Sequence, residues 1–165
     1  MIEVARAERP EDVDLVRDLV REFTRWAFTL DEDVESAPTF VGLEEELARL
    51  PGEFGPPEGC LLLARDAGRP AGCVGFKSHG DGVVERKRMY LRPDQRGRGT
   101  GAALVERLLT EARAAGARRG VLDSFHTMTG AHRIYRAAGF RDVRAPPGFP
   151  EALIGKVVFM EMDLG

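Results

Sequence analysis

A chain of 165 residues, 43% hydrophobic and 31% charged with 19 Gly and 10 Pro, has the length and make-up of one folded domain, which excludes collagen-like and disordered classes. Its 24 Lys and Arg stand against 27 Asp and Glu, for a formal net charge of -3. No overall field therefore draws it to nucleic acid or to an anionic membrane, and a polyanionic ligand would need a local patch.

Met1-Ile2-Glu3-Val4 has no basic stretch leading into an apolar run. Nowhere do apolar residues approach the roughly 18 in succession that cross a bilayer, so a cytoplasmic location is expected and a membrane is not expected as a partner. Cys60 and Cys73 form no Cys-x-x-Cys pattern and stand beside no paired His. Both are expected as reduced thiols in buried strands, and no metal is expected.

Ile2 to Ala7 alternates apolar and polar residues as a short strand. Pro10-Glu11-Asp12 then opens a helix whose apolar face runs through Val13, Val16, Leu19, Val20 and Phe23 and continues to Trp26 and Ala27. Thr29 to Pro38 reads as loop. Gly42 to Leu50 reads as a second helix stopped by Pro51-Gly52, with Glu44, Glu45 and Glu46 on its solvated face. Cys60 to Arg65, Ala71 to Lys77 and Val83 to Leu91 form an antiparallel meander of strands. A long helix opens at Gly97 or Gly99, buries Leu104, Val105, Leu108 and Leu109, and ends at Gly116. Arg119 to Phe125 fits a parallel strand completing a crossover. Thr129 caps a helix carrying Ala131, Ile134, Tyr135 and Ala138 and closed by Gly139. Phe140 to Val143 and Lys156 to Leu164 are the last strands, separated by a Pro- and Gly-rich loop from Ala145 to Gly155. No repeat or linker divides the chain, so residues 1–165 read as one mixed-sheet α/β domain.

The most informative segment runs from Arg92 to Leu104, between a strand and a helix. Gly97, Gly99 and Gly101 let the backbone approach a ligand closely, and first-turn amides without helical partners point at an anion that the helix dipole also favours. Arg96 and Arg98 add charge-assisted contacts to phosphate oxygens. A nucleotide P-loop is disfavoured because the Gly-Lys-Ser/Thr ending is missing. A dinucleotide fingerprint is closer, since Asp123 lies roughly 20 residues beyond Gly101 where a ribose-binding acid would sit, yet Leu104 stands where glycine or alanine is wanted. An ordinary glycine-rich turn does not require two arginines at the helix mouth.

Gln95-Arg96-Gly97-Arg98-Gly99-Thr100-Gly101 resembles the acyl-CoA loop of the GNAT superfamily of N-acetyltransferases. Glu85-Arg86-Lys87-Arg88-Met89-Tyr90-Leu91-Arg92-Pro93 is similar to that family's central strand, and Ile134-Tyr135-Arg136-Ala137-Ala138-Gly139-Phe140 resembles its closing Leu-Tyr-x-x-x-Gly-Phe motif. The likeness is closest from Gly59 to Phe140 and weaker in the first two helices. It implies a GNAT fold of the α/β (α+β) class: a mixed, mostly antiparallel central sheet of about 6–7 strands, flanked by about four helices, with a splayed parallel strand pair at the acyl-CoA site.

The resemblance also implies acetyl transfer from acetyl-CoA, as cosubstrate and without a metal, by direct attack of a primary amine of a small molecule or an exposed protein amine. A free alkyl amine has a pKa near the lysine value of about 10.4, so it must lose a proton, and the developing oxyanion and the leaving thiolate need donors. By position in the motifs, Met89, Tyr90 and Leu91 would hold the pantetheine arm and thioester, and Arg96, Gly97, Arg98, Gly99, Thr100, Gly101 and Ala102 the pyrophosphate. Tyr135 would bind the cofactor sulfur as general acid. Glu85 matches a glutamate often found on this strand and is the expected base, with His126 and water as alternatives. His79 and His132 read as loop and helix-surface residues.

Met128 stands where the family commonly places an asparagine, so that side-chain contact to the cofactor is missing. Arg86 and Arg88 share one face of their strand unless a bulge intervenes, and either serves an acceptor carboxylate or an ion pair with a helix. Trp26 and Phe28 with Asp31-Glu32-Asp33 lie where the family walls its acceptor cleft; an aromatic and acidic wall would favour a cationic amine, and the alternative, which is preferred, is packed aromatics with a solvated acidic loop. A non-catalytic acyl-CoA sensor with the same fold is the competing reading. The resemblance leaves room for a homodimer.

Overall fold

In the computed structural model, which describes residues 1–165, the apolar pattern resolves into seven strands and four α-helices. They run β1 (Ile2–Arg6), α1 (Pro10–Ala27), α2 (Leu43–Ala48), β2 (Cys60–Asp66), β3 (Arg69–Gly80), β4 (Val83–Leu91), α3 (Thr100–Ala114), β5 (Arg119–Phe125), α4 (Thr129–Ala138), β6 (Arg141–Val143) and β7 (Val157–Asp163). One sheet carries all seven in the order β1-β2-β3-β4-β5-β7-β6, and only β4 and β5 are parallel. This is the mixed, mostly antiparallel architecture expected of the sequence.

Both faces of the sheet are covered, which is why Cys60-Leu61-Leu62-Leu63-Ala64 is apolar without alternation. Leu62, Ala64, Val74 and Phe76 point to the α3 and α4 side and pack with Leu104, Leu108 and Tyr135. Leu61, Leu63, Cys73 and Tyr90 point the other way, against Val16, Leu19 and Val20 of α1 and Leu47 of α2. Both cysteines are fully buried and free. Burial pushes their thiols up to about 11 for Cys60 and about 12 for Cys73.

The register of β3 and β4 breaks at one place. Phe76 faces Arg86 and Gly75 faces Lys87, but Cys73 next faces Tyr90, so Val74 alone stands opposite Arg88 and Met89. This is a β-bulge, and Arg88 takes a left-handed φ of 59° within it. The extra residue returns Met89 to the α3 and α4 face that Val84 also occupies. Arg88 turns to the opposite face, where its Nε donates to Glu46 Oε2 at 2.7 Å and its Nη2 to the Thr39 carbonyl at 2.8 Å. Arg86 and Arg88 therefore do not share a face.

Four local expectations are corrected. The second helix covers only Leu43–Ala48, because Gly42 is left-handed at its start. Its Glu46 is not merely solvated but pairs with Arg88, whose side chain is 3% exposed. Val34–Ser36 makes a 3-10 turn inside the segment read as loop. Met128, not Thr129, caps the last helix, and no side-chain hydrogen bond serves that cap.

Removing Glu46 would strand a buried guanidinium, and such losses cost about 3 kcal/mol. Glu46→Ala is expected to lower unfolding stability by about that amount, whereas Glu45→Ala, on the exposed side of the same helix, changes it by less than about 0.5 kcal/mol. Urea denaturation of both variants checks the contrast.

Candidate active site

The N-terminus of α3 presents a run of unused donors. From Gly97 to Ala102 no backbone N–H donates to a carbonyl, and the first bond of the helix is Ala103 N–H to the Gly99 carbonyl at 3.0 Å. Gly97 and Gly99 hold φ of 72° and 89°, and a Cβ on either would meet nothing within 4 Å, so the loop faces open space. Gly101 serves packing instead, since a Cβ there would lie 2.6 Å from Ile134 Cδ1 and 3.0 Å from Leu91 Cδ1. Thr100 is fully buried and its hydroxyl has no partner. The arginines sit at the rim: Arg96 donates to the Leu91 carbonyl at 3.3 Å with its guanidinium 4.7 Å over the Trp26 ring, and Arg98 lies 3.4 Å from Asp66. Backbone amides thus converge where an anion is expected, with the two cations tethered beside them.

Next to this mouth the sheet opens. Parallel pairing of β4 and β5 stops after Glu85 and Val121, so the backbone of β4 beyond Glu85 has no partner on its β5 side. The gap leads into a cavity. Arg86 to Met89 line it from β4, Asp123 to Phe125 from β5, and Tyr135 from α4. Phe23, Phe40, the Val34 turn, Phe149 and Val157 complete the lining.

Tyr135 is 2% exposed, and burial pushes its phenol above the ordinary value, opposed by the Arg86 cation. It is therefore a neutral proton donor at ordinary pH. The Arg86 guanidinium lies 5.1 Å over its ring and donates to the Asp123 carbonyl. Met89 lines the cavity, but Tyr90 points to the α1 side, its ring 5.7 Å from Phe23 and 6.4 Å from Trp26. Leu91 packs at the edge of the main core. Of the expected pantetheine segment, only the Met89 side chain meets Tyr135 at the cavity.

The expected base is elsewhere. Glu85 is 2.7 Å from His79 Nε2 and does not line the cavity. His126 is exposed beyond β5. The carboxyl at the cavity is Asp123, which burial pushes above the ordinary carboxylate range against the pull of Arg86. Sequence reading weighed Asp123 only as a ribose ligand. An acid flanked by Leu122 and Phe125 on the strand beside the opening was the available signal. His132, read as a surface residue, is 3% exposed and hydrogen-bonds Ser124 Oγ at 2.9 Å, burial lowering its pKa. Met128 contributes apolar wall where the asparagine is absent. In the acidic loop Lys156 pairs with two of the acids, lying 3.1 Å from Asp31 and 2.6 Å from Asp33.

Residues 15–140 match the model of the acetyltransferase (GNAT) family. The chain belongs to the GNAT family. An uncharacterised N-acetyltransferase of Schizosaccharomyces pombe is 33% identical over 165 residues, covering 99% of this chain and 95% of the relative. An IAA acetyltransferase of Azospirillum brasilense is 34% identical over 142 residues, 75% of this chain and 90% of that protein. Among solved structures, the PaiA N-acetyltransferase of Thermoplasma acidophilum in complex with coenzyme A aligns with a TM-score of 0.75 at 19% identity, covering 99% of each chain, and shows the same fold. As a GNAT protein the chain is an acyltransferase, and its open strand pair is the feature the resemblance anticipated. No helix is long and apolar enough to cross a membrane.

The raised Asp123 pKa has a thermodynamic sign. The folded state holds the proton more tightly than the unfolded one, so this group's stabilisation is full below the ordinary carboxylate value and lost as pH rises through the raised value. Asp123→Asn, which does not ionise, is expected to melt above the parent protein at about pH 8, the gap closing toward about pH 3. Melting temperatures across pH test this, and a variant that melts lower at the alkaline end would refute a dry carboxyl.

Proposed function

We propose that the protein transfers the acetyl group of acetyl-CoA to a primary amine, with Tyr135 as general acid and Asp123 as general base. The observation that carries this reading is the convergence of the free amides from Gly97 to Ala102 with a cavity lined by a buried phenol and a half-buried carboxyl. Coenzyme A in the structure of the Thermoplasma relative supports the choice of donor. The residues fit such a group: unpaired N–H groups at the start of a 15-residue helix suit a pyrophosphate, and the unpartnered Thr100 hydroxyl lies among them.

Acetyl-CoA supplies an acyl carbon activated as a thioester. The amine nitrogen bonds to that carbon as the carbon–sulfur bond breaks. Asp123 takes the proton from nitrogen, directly or through a water, and its raised pKa brings it nearer to the amine's than an exposed carboxylate would be. Backbone N–H groups of β4 left unpaired past Glu85 are available to the negative charge that builds on the carbonyl oxygen. Tyr135 delivers its proton to the sulfur, for which a phenol kept neutral by burial is suited. The Phe23, Phe40 and Phe125 walls exclude water from these transfers.

Tyr135→Phe is expected to lower kcat by about 10²-fold or more while the dissociation constant for acetyl-CoA moves only a few-fold. Asp123→Asn is expected to lower kcat/KM comparably, with partial recovery at alkaline pH where the amine is already deprotonated. Release of CoA thiol and calorimetry measure these effects, and full activity of either variant would refute its role. Gly99→Asp places a carboxylate in the cradle and is expected to abolish the thermal stabilisation that acetyl-CoA gives. Unchanged affinity in that variant would refute the cradle.

A further inference from the structure

Ser124 of β5 and His132 of α4 form a hydrogen-bonded pair to which amine acetylation gives no task. Ser124 Oγ lies 2.9 Å from His132 Nε2, and the two residues are 8% and 3% exposed. Ser124 lines the cavity and His132 does not, so the imidazole stands behind the serine. Side chains alternate along β5, which puts Ser124 on the α4 face with Leu122, in the layer where Tyr135 packs. Asp123 points to the other face. The cavity is thus bordered by a carboxyl from one side of the sheet and by a hydroxyl with its own imidazole from the other.

A serine within hydrogen-bond reach of a neutral histidine is the arrangement that activates a hydroxyl as a nucleophile. Burial lowers the His132 pKa, so the ring is neutral at ordinary pH and has a lone pair to offer. The other acceptor near the hydroxyl, Met128 Sδ at 3.8 Å, is weak, which leaves Nε2 as the better home for its proton. We propose that Ser124 is a second acyl acceptor, taking the acetyl group from the thioester when no amine is bound and passing it to water, so that the protein is also an acyl-CoA hydrolase; this rests on the acetyl-CoA reading above. As Oγ bonds to the acyl carbon, Nε2 takes the hydroxyl proton and the carbon–sulfur bond breaks. The leaving sulfur takes the proton of Tyr135, and the proton on Nε2 restores the phenol through solvent once CoA has gone. An entering water then bonds to the ester carbon and gives a proton to Nε2. That proton returns to Oγ as the ester bond breaks, and acetic acid leaves.

The protein is given acetyl-CoA with no amine and, in parallel, p-nitrophenyl acetate, which carries the same acyl group without CoA. Release of thiol or nitrophenolate is followed, and acid-quenched protein is digested and mapped by mass spectrometry. The expected result is release from both donors, with an acetyl group on Ser124 that hydroxylamine removes as it removes an ester. Ser124→Ala and His132→Gln are each expected to slow amine-independent thiol release at least about tenfold. Acetyl-CoA must still raise the melting temperature of both variants, which shows that they fold, and the acetyl map of the parent protein needs no variant. Acetyl groups confined to other residues, or thiol release unchanged in Ser124→Ala, would overturn the nucleophile while leaving amine acetylation standing. Acetylation of Ser124 by p-nitrophenyl acetate but not by acetyl-CoA would keep the nucleophile and overturn the acetyl-CoA reading on which the hydrolysis rests.

Discussion

A strand paired on one side and bare on the other is the constraint around which this molecule is arranged. β4 is held along its length by β3, yet leaves β5 after Glu85 and Val121. Backbone groups bared inside a protein are costly unless something polar meets them, so the opening persists only where a ligand or side chain takes their place. Arg86 does part of this by donating to the Asp123 carbonyl across the gap. The bulge at Arg88 does another part, because its extra residue turns Met89 toward the opening and sends the arginine to Glu46 and Thr39. One irregular residue thus sets the floor of the cavity and ties α2 to the sheet.

Chemistry in the opening follows from how dry it is. Burial disfavours the phenolate of Tyr135 and the carboxylate of Asp123 alike, which keeps the first a proton donor and makes the second a better proton acceptor once ionised. Arg86 opposes both shifts and touches both residues, through the ring of one and the carbonyl of the other. The pair is tuned by the same cation, so a change at Arg86 alters the ionisation of both groups together.

Much of the fold was legible because its signals are local. The boundaries of β4 and β5 and the glycine ends of α3 and α4 follow from periodicity and backbone chemistry in short windows. The loop from Gln95 to Gly101 and the tyrosine motif carried the family for the same reason. The place of Asp123 at the cavity did not follow, because which carboxyl borders the gap depends on which strand face lines it and on where pairing stops. Glu46 was misread for a related reason, since its partner Arg88 is turned toward it by a bulge far away in sequence, and His132 because its helix lays it back on Ser124 of the strand before. The bulge itself has no turn residue to announce it, only an arginine at a left-handed φ.

Lys156 ties together two irregular segments that are distant in the chain. It stands at the end of the Pro- and Gly-rich loop and grips Asp31 and Asp33, which follow α1. Two segments that line the cavity, one through Val34 and the other through Val157, are therefore joined by charge. Because the groups are partly exposed, the clasp weakens as ionic strength rises. Neither segment can shift alone without breaking the clasp, so a displacement of one is carried to the other through a single ammonium group.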